Sequence, residues 1–216
     1  MISVKKLPFK FEAIVTGENK VWGYEVLFNH PLIPNGILFA SANPQLDIYL
    51  IQLFCKLNNS LHLLNGTRHT FNISLQALLL YFEELSNLLK VCSCLYLEII
   101  ETQAFWQEKN IQIVKKFLEK WPKRVFIDDF LKGGNGLQFV DELKPYLAGI
   151  KVDLNDIKKI CFTSDFRKDL IIVIEKVENT EDLKLAKKKG GTHFQGWFFK
   201  NFNLLIEGKY YDVVKK

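Results

Sequence analysis

Long apolar runs are absent from this chain of 216 residues. No stretch approaches the ~18 to 20 consecutive apolar residues that cross a bilayer, so the sequence predicts a soluble protein with no membrane partner. The opening "MISVKKLPFKFEAIV" has two early lysines but neither the apolar segment of roughly 7 to 15 residues nor the small-residue cleavage site of a secretory signal. The expected compartment is therefore the cytoplasm. Cysteine is scarce: Cys55, Cys92, Cys94 and Cys161 have neither disulfide-framework density nor paired zinc spacing, and "CSC" is too tight for the usual metal motif. They are expected to be reduced packing residues. No Pro/Gly/Ser-rich linker or low-complexity segment divides the chain, which predicts a single domain over residues 1–216. The formal charge of +5 is modest and dispersed. Its densest basic run, "KLAKKKGG" at 184–191, ends in glycines as a helix does, with lysines complementing the helix dipole. No nucleic-acid signature accompanies it, so a nucleic-acid polymer is not an expected partner.

What the chain does have is a recurring unit. Hydrophobic residues at 48% and charged residues at 25% are ordinary for a globular protein. "FEAIV" and "VWGYEVLF" flank "TGEN", a hairpin signal, and "PQLDIYLIQLFCKLN" follows with apolar residues at helical spacing. Short apolar runs then alternate with helical ones: "HTFNISL", helix 76–90, "CLYLEII", helix 103–120, "RVFIDDF" and helix 136–146. "GIKVDL", a short segment near 155–168, "LIIVIEKV", helix 180–189 and "HFQGWFF" complete the series. Strands alternating with helices imply parallel βαβ units. Seven parallel candidates plus one opening strand predict an α/β fold, a modified TIM-like (β/α) barrel with an opening antiparallel strand. An open doubly wound sheet is the alternative.

Nearly every apolar run carries a polar residue near its end: Glu25, Asn72, Glu98, Asp128 with Asp129, Lys151, Glu175 and Gln195. Parallel barrel strands converge at their C-terminal ends, where active sites form, so four to five carboxylates are expected to share one mouth. Like charges that close raise each other's pKa unless cations compensate. Carboxylates with the Asn72 amide oxygen suit Mg²⁺ or Mn²⁺. Zinc is disfavoured because His30, His62, His69 and His193 fall outside the set; these are expected at the surface or at strand edges. A single strand-end carboxylate is most simply a solvated side chain, but the same explanation would have to hold on seven strands.

The order of these motifs resembles the EAL domains, bacterial cyclic di-GMP phosphodiesterases, over about residues 9–202. "GYEVLF" is similar to the glutamate-alanine-leucine strand, "FNIS" to asparagine-leucine-serine, "LEIIET" to glutamate-x-x-glutamate and "IDDF" to the paired aspartates. "GIKVD", "IEKVENTEDL" and "HFQGWFF" resemble the lysine, second glutamate and glutamine-glycine motifs. The resemblance implies hydrolysis of cyclic di-GMP to linear pGpG with two divalent metals. Glu25, Asn72, Glu98 and Asp128 would be metal ligands, and Asp129 would bridge or bind the second metal. Lys151 would position or polarise the attacking water, Glu175 would support the second metal or act as base, and Gln195 would complete the site. Glu101 would brace the loop after Asp128 and Asp129, with Glu178 as further support. Cyclic di-GMP is the implied partner, with a second copy of the chain or a separate regulatory protein as further candidates.

The chain also departs from the family pattern. Leu131 and Lys132 stand where a glycine and a threonine or alanine are usual, and Lys176 replaces a glycine. Glu12 and Ala13 replace a glutamine-proline pair, and Asn29 stands where an arginine would grip substrate phosphate. The stretch between Lys151 and Glu175 is shorter than usual by about 11 residues, roughly three turns at 3.6 per turn, so one peripheral helix is expected to be shortened or missing. Two readings follow: a metal-dependent phosphodiesterase of weak activity, or a catalytically silent EAL-like module that binds cyclic di-GMP or a protein partner.

Overall fold

The computed structural model describes residues 9–28, 43–61, 66–100, 107–132, 141–157 and 160–203. Eight strands close into one barrel in sequence order. They are β1 (Phe9–Thr16), β2 (Val21–Phe28), β3 (Arg68–Ile73), β4 (Leu95–Ile100), β5 (Val125–Asp128), β6 (Gly149–Asp153), β7 (Ile171–Glu175) and β8 (His193–Phe194). β1 runs antiparallel to both neighbours, β2 and β8, and every other pairing is parallel. This is the closed barrel with an opening antiparallel strand that the sequence predicts. "TGEN" makes the β1–β2 turn, with Asn19 in the left-handed region at φ 61°.

The helices are α1 (Pro44–Leu61), α2 (Leu75–Leu80), α3 (Phe82–Val91), α4 (Glu108–Lys120), α5 (Leu154–Ile157), α6 (Ser164–Arg167) and α7 (Thr180–Lys188). The helix expected over 76–90 is two helices. Tyr81 leaves helical geometry, its N–H capping α2 through Ala77 and its carbonyl accepting from Leu85 to start α3. α7 begins as its sequence requires: the Asn179 side chain accepts from the Asp182 amide, and Lys187 and Lys188 lie in the last turn. The basic run is thus a helix end. Between β6 and β7 the described residues form only two four-residue helices, α5 and α6, in place of a full barrel helix. The helix expected over 136–146 falls largely outside the described residues. None of the described helices is long and apolar enough to cross a membrane.

Alternation along the strands divides the core. One set, including Phe11, Phe54, Phe71, Leu97, Ile127, Ile150 and Ile174, is buried between the sheet and the helices. A second set, Ile14, Phe126, Ala148 and Val173 with Trp22, Tyr96 and Ile171, packs inside the barrel. The Trp22 ring lies 5.4 Å from Tyr96, 5.6 Å from Phe126 and 5.8 Å from His193. Gly149 leaves room for this plug, because a Cβ there would fall 2.6 Å from the Phe126 ring and 2.2 Å from the Ile171 carbonyl. The N-terminal half of the barrel is therefore filled, and the polar strand ends sit above it.

Two expectations need correction. "HFQGWFF" pairs in the sheet only through His193–Phe194. Gly196, at φ 145°, lies so close to Val177 that a Cβ would fall 2.4 Å from the Val177 carbonyl oxygen, and the chain turns there into a 3-10 helix, Trp197–Phe202. His69 is fully buried on β3, its ring 5.1 Å from Phe54 and 6.3 Å from Phe11. Facing α1 across the sheet, it is a core residue rather than a surface or edge one. His193 is half-buried, and His30 and His62 lie outside the described residues. All four cysteines are free thiols.

Candidate functional site

β2, β3, β4, β5, β6 and β7 each deliver at least one polar side chain to the same end of the barrel. Register explains why: Asn72 pairs with Glu98 on the neighbouring strand, and Asp153 pairs with Glu175. Lys151 stands at the centre, only 1% exposed. Its ammonium donates to Glu25 and to Glu98, both at 2.9 Å, and forms an ion pair with Glu175 at 2.8 Å. Asp128 is left at 3.9 Å. Glu25 also accepts from the amides of Asn72 and Gln195, both at 2.6 Å.

The charges do not balance. Glu25, Glu98, Asp128 and Glu175 face the single ammonium of Lys151, so full ionisation leaves a surplus of negative charge in a buried site. Burial pushes the Glu98 carboxyl well above its ordinary range, the nearby charge of Lys151 opposing and those of Glu25 and Asp128 adding. Burial is also the main reason that Asp128 is pushed up to about 7, with Glu175, Glu25 and Asp129 contributing against Lys151. Burial alone would raise Glu25, but the charge of Lys151 and the bonds from Lys151, Gln195 and Asn72 outweigh it and hold Glu25 low. Burial would lower Lys151, yet Glu175, Glu25, Glu98 and Asp128 hold it well above the usual lysine range.

Among the described residues, four buried acceptors at this site have no hydrogen-bond partner: Asn72 Oδ1, Glu98 Oε1, Asp128 Oδ1 and Gln195 Oε1. Buried acceptors are nearly always satisfied. Hard, oxygen-only donors with surplus negative charge fit a hard divalent cation such as Mg²⁺ or Mn²⁺. Toward the outside, Asp128, Asp129 and Glu175 each offer an oxygen within 4.8 Å of the others.

The loop after Asp128 keeps its turn without the expected glycine. Asp129 has φ 51° and Leu131 φ 90°, while the Phe130 amide donates to the Lys151 carbonyl at 3.0 Å and Phe130 is fully buried. Lys132 turns back to bond Asp129 Oδ1 at 2.5 Å. Lys176, also replacing a glycine, has φ 58° and pairs with Asp153.

Of the residues singled out from sequence, Glu25, Asn72, Glu98, Asp128, Asp129, Lys151, Glu175 and Gln195 come together. Glu178 is more peripheral: it is exposed, and with Glu12, Glu25, Leu27, Glu175, Lys176, Gln195, Gly196 and Trp197 it lines an open cleft of ≈ 290 Å³ beside the ring. Asn29 and Glu101 lie outside the described residues. Sequence reasoning missed Asp153, buried one alternation beyond Lys151 and therefore on the same strand face. It also missed Trp197, 66% exposed at the cleft's rim.

No family model matches the sequence, and no curated relative matches it. Solved structures do match. PaMucR phosphodiesterase in complex with c-di-GMP aligns at TM-score 0.70 and 20% identity, over 92% of this chain and 97% of that one. The Klebsiella pneumoniae BlrP1 manganese/cy-diGMP complex aligns at TM-score 0.69 and 20% identity, over 91% of this chain and 56% of that one. An EAL domain protein from Listeria monocytogenes EGD-e aligns at TM-score 0.66 and 21% identity, over 92% and 89%. The barrel therefore has the fold of the EAL-domain structures.

Proposed function

We propose that this EAL-fold barrel binds cyclic di-GMP and hydrolyses it to linear pGpG with the help of a divalent cation. The observation that carries the reading is the set of buried, unpartnered oxygens of Asn72, Glu98 and Asp128 in a ring with surplus negative charge. The binding of c-di-GMP by PaMucR and of manganese with cy-diGMP by BlrP1 supports it.

In this reading Glu25, Asn72, Glu98 and Asp128 hold Mg²⁺ or Mn²⁺, with Asp129 beside them. When bound, the cation supplies Lewis-acid polarisation of a phosphoryl oxygen and lowers the pKa of bound water. The residues of the chain do the rest. Asn72 and Gln195 donate to Glu25 and fix its orientation. Lys151 holds Glu98 and Glu175 at set distances and so fixes the carboxylates that the attacking water meets. Glu175 is on the cleft side and takes the proton as that water adds to phosphorus. As the hydroxyl of that water bonds to phosphorus the P–O3′ bond breaks, and the departing 3′ oxygen takes a proton from solvent to become the free 3′-hydroxyl of pGpG. Trp197 gives a guanine a flat face to stack on, while Glu178 and Lys176 line the same cleft.

A second reading, a silent module that binds cyclic di-GMP or a protein partner, is favoured by the filled glycine positions at Leu131 and Lys176. Incubating the full chain with cyclic di-GMP and Mn²⁺ and separating the products decides between the two. The enzyme reading requires pGpG that disappears in Glu98→Gln. Intact cyclic di-GMP after prolonged incubation with either metal refutes it, and a calorimetric titration of the same protein then tests for binding without turnover.

A further inference from the structure

The geometry points to Lys132 and Lys176 as tethered cations that take the place of a second divalent ion in the site. This inference rests on the reading above and concerns the outer carboxylates, Asp128, Asp129 and Glu175, whose oxygens lie within 4.8 Å of one another. A group of that kind could hold an ion of its own, but two of its three carboxylates already face an ammonium. Lys132 Nζ bonds Asp129 Oδ1 at 2.5 Å, and Lys151 Nζ bonds Glu175 Oε1 at 2.8 Å. Lys176 bonds Asp153, which is buried and is the strand neighbour of Glu175.

Both lysines are built into their places by the backbone. The Lys132 amide donates to the Asp129 carbonyl at 3.0 Å, closing a tight turn that brings the side chain back over Asp129. Lys176 follows Glu175 directly in a left-handed conformation, φ 58°, that sends its side chain across to β6. Their charges overlap on the same acceptors: against burial, Lys132 is held up by Asp129, Asp153 and Glu175, and Lys176 is held up by Asp153 and Glu175 against burial and the charge of Lys132.

A divalent ion entering the outer group meets the Lys132 ammonium already on Asp129 Oδ1 and the Lys151 ammonium on Glu175. A 2+ ion about 6 Å from a unit positive charge is repelled, in water-like screening, enough to weaken its binding roughly tenfold. Two lysines thus keep the outer position empty of metal at concentrations that load the inner ring. The consequence for the proposed chemistry is a site with one exchangeable cation and fixed side-chain charge where a second would stand. Side-chain charge can hold a phosphate but cannot lower the pKa of a bound water as a metal does.

The test counts Mn²⁺ per chain by equilibrium dialysis over a concentration series, for wild type, Lys132→Ala, Lys176→Gly, the double variant and Lys132→Arg. The double variant is expected to bind one more Mn²⁺ per chain than wild type, each single variant to tighten that extra site about tenfold, and Lys132→Arg to match wild type. Because Lys132 and Lys176 are largely exposed, the single variants keep the comparison alive should the double variant fail to fold. Equal stoichiometry and affinity across the series, or two Mn²⁺ already in wild type, overturns the inference. The first Mn²⁺ is a separate matter: its loss in Glu98→Gln supports the inner ring, and a wild type that binds none while the double variant binds one sinks the inner ring and leaves the tethered cations standing.

Discussion

Replacing Lys151 by methionine removes the one cation at the centre of the barrel mouth while keeping a side chain of similar length. Glu98 loses the hydrogen bond from Lys151, and its other oxygen has no hydrogen-bond partner among the described residues. Glu25 retains Asn72 and Gln195. Breaking a buried ion pair from one side costs about 3 to 5 kcal/mol, and one kcal/mol moves the melting temperature of a chain this size by about 2 to 4 °C. At pH 8 the variant is therefore expected to melt roughly 6 to 20 °C below wild type. The loss must depend on pH. Glu98 and Asp128 already titrate above their ordinary range, and removing Lys151 raises them further. A carboxyl with a raised folded pKa binds more protons folded than unfolded, so its stability contribution is full at low pH and is lost as pH rises through the folded pKa. At pH 5.5 both groups protonate and the gap to wild type narrows. Urea denaturation followed by circular dichroism at both pH values, without metal, measures it. A variant within about 1 kcal/mol of wild type at pH 8, or a gap unchanged between the two pH values, refutes the charge accounting.

His193 offers an independent pH test. Burial, with Arg68 nearby, lowers its pKa to about 4, so the stability it contributes is complete above its unfolded pKa of about 6.5 and is lost as pH falls from there to about 4. His193→Gln should remove up to about 3 kcal/mol of acid sensitivity in that window; identical acid-unfolding curves would contradict it. Leu131 holds φ 90° in a position that suits glycine, and Leu131→Gly should raise stability by about 1 kcal/mol, the relieved strain exceeding the lost contact; a clear fall in the urea midpoint would show that packing dominates. Asn29→Arg, made on the sequence argument for a phosphate-gripping arginine, should tighten cyclic di-GMP binding by on the order of 10- to 150-fold, read by calorimetry with Ca²⁺ in place of Mn²⁺; unchanged affinity removes position 29 from the ligand's reach.

The order of apolar runs made the barrel legible, because strand–helix alternation has few closed solutions and the "TGEN" turn marks the antiparallel start. The ring itself was legible too, since one polar residue near the end of each buried strand has little other structural reason. Asp153 follows from the same period-two rule that places Lys151, but an aspartate after a strand reads equally well as a helix cap, and its side chain does accept from the Asn155 amide. What could not be read was how the loop lysines pair. Nothing local says that Lys132 returns to Asp129 or that Lys176 crosses to Asp153, because both depend on left-handed backbone at residues that avoid it. His69 was misplaced for the opposite reason: a polar letter in a strand suggests an edge, whereas here rings of Phe11, Tyr24 and Phe54 enclose it. The truncated β8 follows from the Gly196–Val177 contact, which has no sequence signature.

The claim on which the account turns is that the ring at the C-terminal end of the barrel holds a divalent cation. Crystals of the full chain grown with Mn²⁺ and measured at the manganese absorption edge locate it directly. One strong anomalous peak is expected within about 2.2 Å of oxygens from Glu25, Asn72, Glu98 and Asp128, with Lys132 still on Asp129. A peak confined to Asp129 and Glu175, or no peak at millimolar Mn²⁺ with Lys151 still bonded to three carboxylates, would contradict it.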